Sequence, residues 1–238
     1  MSKGIFITGT DTGIGKTFVA VGLIKAMRER GLNVCPMKPV ETGCRIRDGE
    51  PVPEDALKLI NASGINEPVD AINPYRLRHP LAPSVAAEIE GVKISGKKIL
   101  SAYNKLSRKY DLVIIEGAGG IMAPVYKKYL FLDLAKDLDL PVVIVSRPGL
   151  GTINHSLLTI EAARHKGLNV FGVIINYAVK TKKGLPEKTA PEVIERLGGA
   201  PVLGVVPYTE KPGNSRLDKI FNRIASLLQK QTVSVYKL

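Results

Sequence analysis

The segment that decides the fold of this chain is Gly9-Thr10-Asp11-Thr12-Gly13-Ile14-Gly15-Lys16-Thr17. An apolar run at residues 5–7 precedes it and predicts a buried strand, and a helical pattern follows over residues 18–30. A glycine-rich turn between a strand and a helix leaves backbone N–H groups that can point at a polyphosphate. Lys16 would then neutralise the β- and γ-phosphates, and the Thr17 hydroxyl would hold magnesium. The segment predicts a P-loop, and hence an ATP- or GTP-binding protein, rather than a turn that binds nothing.

The composition limits the classes of protein to which the chain can belong. The 238 residues are 45% hydrophobic and 24% charged, which is typical of one globular α/β domain. No apolar run approaches the roughly 20 residues of a membrane span, and the sequence shows no signal-peptide pattern, so we expect a cytoplasmic protein with no membrane partner. Cys35 and Cys44 lack metal-ligand spacing, and we expect two reduced, structural thiols.

The net charge of +12 would suit a nucleic-acid partner. However, the basic residues are scattered, aromatic residues make up only 5% of the chain, and no stretch interleaves the two as a strand-binding groove would. Small anionic substrates and a solvated surface explain the charge more simply, and we expect no nucleic acid.

Apolar runs alternate with helical patterns along most of the chain. The runs lack the alternation of half-exposed strands, which favours parallel strands buried on both faces. The predicted fold is a doubly wound, mostly parallel α/β sheet with helices on both faces, of the P-loop NTPase type, with ligands at the carboxyl ends of the strands. The further predicted strands are residues 33–38, 111–116, 141–146, 170–176 and 202–206, and the further helices 130–138, 154–166, 191–197 and 217–228.

Residues 41–110 do not follow this alternation of strands and helices. They contain proline-punctuated chain and helical patterns at 54–61, 84–90 and 97–109, which predicts a mostly helical excursion that covers the site. Residues 231–238 are predicted to form a loose C-terminal tail of the single domain 1–238.

Polar and glycine-rich residues follow several predicted strands, where such a fold places its site. Lys38 would point at the same phosphates as Lys16, although a lysine that snorkels from a strand end is an equally simple interpretation. Glu116 ends a strand before Gly117-Ala118-Gly119-Gly120, and a buried carboxylate there predicts a second magnesium ligand.

Two further sites follow the fourth and fifth of the apolar runs. The loop Gly149-Leu150-Gly151-Thr152-Ile153-Asn154 precedes a helix, so its amides predict an anion site, whereas the neighbouring His155 is interpreted as structural. The Asn176 amide can donate and accept, as recognition of a purine edge requires, but a turn-forming asparagine fits equally well.

Taken together, these motifs resemble the dethiobiotin synthetase family over almost the whole chain. That family carries threonine at the position of Thr10, where the strict P-loop pattern has glycine. Beyond the P-loop, the resemblance rests on Lys38-Pro39-Val40, Asp55, Asn73-Pro74-Tyr75, Glu116-Gly117-Ala118-Gly119-Gly120, the segment 151–155 and Asn176.

The resemblance implies a role for each residue that matches a family motif. Lys38 and Lys16 would be catalytic, and magnesium would be held by Thr17, Asp55 and Glu116. ATP would be bound by Gly13, Ile14, Gly15, Lys16, Thr17, Phe18, Asp55, Glu116, Gly117, Ala118, Gly119, Asn176, Tyr177, Pro207, Tyr208 and Thr209. The substrate would be bound by Thr12, Thr42, Gly119, Leu150, Gly151, Thr152 and Asn154.

The base pocket departs from the family at two positions. Some relatives carry tryptophan in place of Tyr208, and some carry an acidic residue in place of Tyr177. The choice between ATP and other nucleotides, such as CTP or GTP, stays open on the sequence.

The resemblance also implies a reaction and an assembly. 7,8-Diaminononanoate would be carboxylated by CO2 (or bicarbonate) and closed to dethiobiotin at the expense of ATP, through a carbamate and a carbamic–phosphoric anhydride. The 149–154 loop would serve the neighbouring subunit, in a homodimer with composite sites.

Two other classes of protein were weighed against this one. A partitioning or regulatory ATPase of the deviant P-loop class carries a lysine where this chain has Asp11, and a cobyrinate amidotransferase needs a further glutaminase domain, for which no chain follows Leu238. Both features favour the synthetase.

Overall fold

The computed structural model describes residues 3–182, 184–210 and 214–236, with side chains as far as residue 231. Every strand predicted from an apolar run is present, and its first residue lies within one residue of the predicted start. Additional short strands lie in the connections. The strands are β1 (Gly4–Gly9), β2 (Val34–Met37), β3 (Val40–Thr42), β4 (Arg45–Arg47), β5 (Glu50–Val52), β6 (Tyr75–Leu77), β7 (Leu112–Gly120), β8 (Pro124–Tyr126), β9 (Tyr129–Leu130), β10 (Val142–Ser146), β11 (Val170–Asn176) and β12 (Val202–Val206).

The helices of the described chain connect these strands. They are α1 (Lys16–Glu29), α2 (Glu54–Ser63), α3 (Val69–Ile72), α4 (Pro83–Ile89), α5 (Gly96–Lys109), α6 (Phe131–Asp137), α7 (Thr152–His165), α8 (Leu185–Gly198) and α9 (Ser215–Tyr236). None of them is long and apolar enough to cross a membrane.

The described strands include a six-stranded parallel sheet in the order β12-β11-β10-β1-β7-β2. The side chains alternate between two apolar layers, as the pleat requires. On β1, Phe6 packs in the layer that includes α5, α6, α7 and α8, whereas Ile5 and Ile7 pack in the layer of α1, α2 and α9. Both faces are therefore covered, which confirms the predicted doubly wound fold.

The sheet order brings three strand ends together. The strand β7 lies between β1 and β2, so the P-loop that follows β1, the second half of β7 and the Lys38 end of β2 open at the same edge. The prediction that Glu116 ends this strand is wrong, because β7 continues to Gly120, with a register shift against β1 after Glu116. This adjacency positions the candidate site.

The excursion at 41–110 contains α2, α4 and α5, which match the predicted helical patterns, and also the short helix α3 and four short strands, which the sequence did not predict. The pair β3 and β6 is parallel, and β4 and β5 form an antiparallel hairpin. The hairpin turn is Asp48-Gly49, and both residues have positive φ, 50° and 83°.

Two predictions near the C-terminus need correction. The helix predicted at 191–197 begins at Leu185, because Pro191 lies inside α8 rather than at its start. The loose tail predicted at 231–238 is wrong for 231–236, which continue α9; residues 237 and 238 lie outside the described residues. No glycine or proline follows Leu228 to stop the helix, and the Gln231 side chain donates to the Phe171 carbonyl at 3.3 Å.

Both cysteines are free and buried. Burial raises the pKa of Cys35 and of Cys44 to about 12, so both are protonated thiols at neutral pH. This agrees with the structural role expected from the sequence.

Candidate active site

The P-loop turns from β1 into α1 through glycines with positive φ. Gly13 has φ 72° and Gly15, which caps α1, has φ 83°. A Cβ at position 15 would also overlap the amide nitrogen of Asn176, so only glycine fits there. The cap makes no side-chain hydrogen bond to the first turn of α1, which is the arrangement that anion-binding helix starts use.

Lys16 lies across the mouth of this loop. Its side chain is 7% exposed, and Nζ donates to the carbonyl oxygen of Asp11 at 2.9 Å. Burial, together with the positive charge of Lys38, lowers the pKa of Lys16 to about 8. An anion beside Lys16 would relieve both effects, which fits a phosphate ligand.

Lys38 and Glu116 form a buried ion pair beside the loop. The Nζ–Oε1 distance is 2.6 Å, with the two residues 4% and 1% exposed, and the same Oε1 accepts a hydrogen bond from the Thr17 hydroxyl at 2.8 Å. Burial alone would lower the pKa of Lys38, but the charges of Glu116 and Asp55 outweigh it, and the pKa is raised. Lys38 is thus a permanently charged cation in a site that water barely reaches, and the snorkelling interpretation is wrong.

The backbone of Lys38 is fixed by the excursion. Its N–H donates to the Ile72 carbonyl at 2.9 Å, and its carbonyl accepts from the Asn73 side-chain amide at 2.6 Å. Asn73 is fully buried. The excursion therefore orients the lysine as well as covering it.

Asp55 reaches the same cluster from the first turn of α2. Its Oδ2 lies 3.9 Å from Lys38 Nζ and its Oδ1 lies 3.1 Å from Lys58 Nζ. Burial opposes ionisation, but Lys38, Lys58 and a hydrogen bond with Thr17 lower the pKa of Asp55. All three predicted magnesium ligands, Thr17, Asp55 and Glu116, are therefore in one place.

The oxygens of this cluster fit magnesium. Glu116 Oε2 is buried and accepts no hydrogen bond within the described part of the chain, so it can still take a cation. Two carboxylates and a hydroxyl are the hard donors that Mg²⁺ prefers, and this ion commonly completes its shell with water and substrate phosphates. The described residues contain no group of three or more acidic, histidine or cysteine side chains that could hold a metal alone.

A cavity of about 140 Å³ opens on the other side of the P-loop. It brings the residues predicted to hold adenine together with three others predicted to bind ATP, and adds Ala178. Its lining consists of Gly15, Phe18, Asn176, Tyr177, Ala178, Pro207, Tyr208 and Thr209.

Asn176 has a second role that the sequence did not indicate. Its Nδ2 donates to the Ile14 carbonyl at 2.8 Å, and the residue is 1% exposed. Half of the side-chain amide is thus used to hold the P-loop. Its Oδ1 is buried without a hydrogen-bond partner among the described residues, and only this atom is left to meet a base.

A larger cavity, about 490 Å³, lies next to the cluster. It brings together three predicted substrate residues, Thr12, Thr42 and Gly119. Residues 80–83, between β6 and α4, supply a further wall that was not predicted residue by residue, although the run of prolines was a signal for it. The complete lining is Thr12, Thr42, Pro80, Leu81, Ala82, Pro83, Ala118, Gly119, Gly120 and Ala123.

The 149–154 loop is not part of that lining among the described residues. Leu150 is 84% exposed and Asn154 is also exposed, so both face away from the chain's interior. Thr152 is buried instead, with its hydroxyl 2.5 Å from the Arg147 carbonyl and 2.6 Å from the Ser146 hydroxyl. The Thr152 side chain therefore anchors the loop rather than facing a ligand.

This fold and site define a class. P-loop nucleotide-binding proteins have a parallel sheet with a Gly-Lys-Thr loop at the start of a helix. They also carry a buried lysine and oxygen ligands suited to magnesium at neighbouring strands, as this chain does. Solved structures of this class are similar over nearly the whole chain: MinD from Pyrococcus horikoshii, complexed with Mg-ADP (TM-score 0.62, 19% identity, 98% of both chains), and a ParA-family ATPase from Chlorobium tepidum (TM-score 0.54, 15% identity, 96% and 92%). At these identities the likeness is one of fold.

Sequence comparison identifies the family. Residues 3–216 match the AAA_26 family, described as an AAA domain. ATP-dependent dethiobiotin synthetases are similar over most of the chain: 43% identical in Thermodesulfovibrio yellowstonii (87% of this chain, 90% of that protein), 44% in Methanocaldococcus jannaschii (87% and 94%) and 41% in Bacillus licheniformis (87% of each). The chain belongs to the dethiobiotin synthetase family.

Proposed function

We propose that this protein closes 7,8-diaminononanoate with CO2 to dethiobiotin, using ATP and releasing ADP and phosphate. One observation carries the proposal. The segments at 9–17, 38–42 and 116–120 supply both the charged cluster and part of the 490 Å³ cavity lining. A γ-phosphate at Lys16 and a substrate in that cavity would meet at Lys38.

The chemistry needs charge neutralisation more than it needs a nucleophile from the protein. One amine of the substrate adds to CO2, which forms an N–C bond and releases a proton. A carbamate oxygen then attacks the γ-phosphorus, and ADP leaves. The second amine attacks the carbamoyl carbon and expels phosphate, which closes the ring. Each stage develops negative charge near where Lys16 and Lys38 lie.

The cluster divides these tasks. Thr17, Asp55 and Glu116 would hold magnesium, which would neutralise phosphate charge when bound. Lys38 is held by Glu116 and by the Asn73 amide, and its ammonium would neutralise the transferred phosphoryl group. The apolar residues 80–83 line one side of the substrate cavity and would limit the access of water to the anhydride.

The remaining residues have roles in binding and assembly. The 140 Å³ cavity would take the base, and Asn176 Oδ1 would accept from the exocyclic amine of adenine. The exposed 149–154 loop would complete the site of a second subunit in a homodimer, where the amides at the start of α7 meet the substrate carboxylate. We propose a cytoplasmic location for the enzyme, as expected from its sequence.

The test is phosphate release from ATP in the presence and absence of the diamine and bicarbonate, with the product identified by mass spectrometry. We expect one phosphate per dethiobiotin and negligible hydrolysis when either substrate is omitted. Robust hydrolysis without the diamine, or stimulation by DNA or lipid vesicles, would instead support a switch ATPase.

A further inference from the structure

Glu41 is a buried carboxylate to which the proposed reaction gives no role. It lies in β3 and is 5% exposed, and both of its carboxylate oxygens accept hydrogen bonds from the same helix. Oε1 accepts the backbone N–H of Asp55 at 2.9 Å, and Oε2 accepts that of Ala56 at 3.0 Å. These are amides of the first turn of α2, so Glu41 caps this helix from another element.

A cap for stability alone would not need this construction. The residue before the helix is Pro53, whose side chain makes no capping bond, whereas a serine or aspartate there would cap the helix at the surface. Glu54 already complements the helix dipole and lies 3.6 Å from Arg45. Burying a further carboxylate in the same neighbourhood costs desolvation free energy, which points to a positional requirement.

The requirement is the position of Asp55. Glu41 holds the amide of the residue whose side chain contacts Lys38 and Thr17. The strand that carries Glu41 is itself fixed, because β3 pairs with β6 with Glu41 opposite Arg76. Glu41 therefore connects the fixed strand after Lys38 to the start of α2.

We infer that Glu41 is a positioning residue of the magnesium site: by holding the first turn of α2, it sets the Asp55 carboxylate beside Thr17 and Glu116. The inference rests on the magnesium site of the proposed function. Glu41 itself touches neither metal nor substrate in this arrangement.

The experiment uses Glu41→Gln in the full chain. Glutamine keeps the shape, but its NH2 group faces one of the two amide donors, so one hydrogen bond is lost. Binding of Mg²⁺ in the presence of a non-hydrolysable ATP analogue is measured by calorimetry without the diamine. We expect the Mg²⁺ half-saturation to rise by about 10- to 100-fold. The affinity of the metal-free analogue, measured in EDTA, stays within about twofold.

A double-mutant cycle separates positioning from simple stabilisation. If Glu41 acts through Asp55, adding Glu41→Gln to Asp55→Asn changes Mg²⁺ binding by less than about twofold. Glu41→Asp serves if the glutamine variant fails to fold. It keeps the charge but is too short to reach both amides, and we expect a weaker shift in the same direction.

Glu90 offers a matched control. Its carboxylate also accepts two consecutive backbone amides, Arg78 N at 3.2 Å and His79 N at 3.0 Å. Glu90→Gln should lower the melting temperature to a similar extent and leave Mg²⁺ binding unchanged.

Three results would overturn the inference: unchanged Mg²⁺ binding in Glu41→Gln, the same shift in the Asp55→Asn background, or an equal shift in Glu90→Gln. A wild-type protein that binds the analogue without any Mg²⁺ dependence would overturn it as well. Normal Mg²⁺ binding without ring closure would instead reject the proposed synthetase activity alone.

Discussion

Removing the charge of Lys38 tests whether the centre of the site is a true buried ion pair. Lys38→Met keeps the apolar stem but leaves Glu116, 1% exposed, without its cation at 2.6 Å. Because Glu116 Oε2 already lacks a hydrogen-bond partner among the described residues, the stranded charge is compensated only by the Thr17 hydrogen bond and by the charge of Lys16, which forms no direct ion pair with it in the described chain. Breaking a pair of this kind costs about 3–5 kcal/mol of unfolding free energy. For a domain of this size that corresponds to a melting temperature lower by about 6–20 °C.

The assay is chemical denaturation at pH 7 without nucleotide or divalent ions. The double variant Lys38→Met/Glu116→Gln should recover much of the loss, because it buries no unpaired charge. Lys109→Met is the control, since Lys109 pairs with Glu67 at 3.0 Å but is 61% exposed, and its loss should cost at most about 1 kcal/mol. A Lys38→Met variant no less stable than this control, or a double variant in which the two losses add, would refute the reasoning.

Three further predictions concern the loop, the pH dependence of stability and the exposed loop after β10. Lys16→Ala should fold normally, because the only hydrogen bond that it removes in the described structure is the one to the Asp11 carbonyl. It should nevertheless lower turnover by orders of magnitude in the phosphate-release assay, and unchanged turnover would reject the P-loop assignment. Burial would raise the pKa of Asp133, but hydrogen bonds from Lys166 and from the Leu130 amide lower it. The ionised carboxylate therefore stabilises the fold at pH values above its ordinary pKa of 3.8, and this stabilisation is lost as the pH falls through the lowered pKa. Asp133→Asn should therefore be less stable than wild type by about 1 kcal/mol at pH 7 in denaturation experiments, and this difference should shrink as the pH falls below the ordinary pKa of the carboxyl; a difference that does not shrink in acid would contradict this. Asn154→Ala should raise the KM for the diamine by the equivalent of about 1–3 kcal/mol with ATP affinity unchanged, whereas an unchanged KM would remove this residue from the substrate site.

The fold was predictable because its strong signals are local. The buried strands are continuous apolar runs, and the P-loop between the first strand and α1 fixes the class. The hairpin of β4 and β5 was missed although Asp48-Gly49 is a favoured two-residue turn, because Arg45, Arg47 and Glu50 are exposed and give no alternating pattern. The start of α8 was missed because Pro191 indicated a helix start, whereas the helix tolerates it in its interior.

The candidate site was predictable only where a residue lies at a strand end. Lys38 follows β2 directly and Glu116 follows the apolar first half of β7, so their convergence follows from a parallel sheet. Asp55 came from the family resemblance, since nothing local distinguishes it from any acid in a first helical turn. Glu41 and the Asn176–Ile14 bond had no signal, because their partners are 14 and 162 residues distant. Contacts of that kind depend on how the excursion and the sheet pack together.

The order of the strands explains how the proposed tasks are separated along the sheet. The β1, β7 and β2 ends hold the P-loop, Glu116 and Lys38, whereas β11 and β12 carry the base cavity on the other side of β10. A nucleotide that spans this edge would have its base over β11 and its γ-phosphate over β7, with the loop after β10 between them. That loop exposes Leu150 to solvent and contributes no residue to the lining of the substrate cavity among the described residues. One chain therefore has an open substrate cavity and a loop that does not line it. If two chains pair with each loop at the other's cavity, as proposed above, both features would be satisfied, and ring closure, but not nucleotide binding, would depend on assembly.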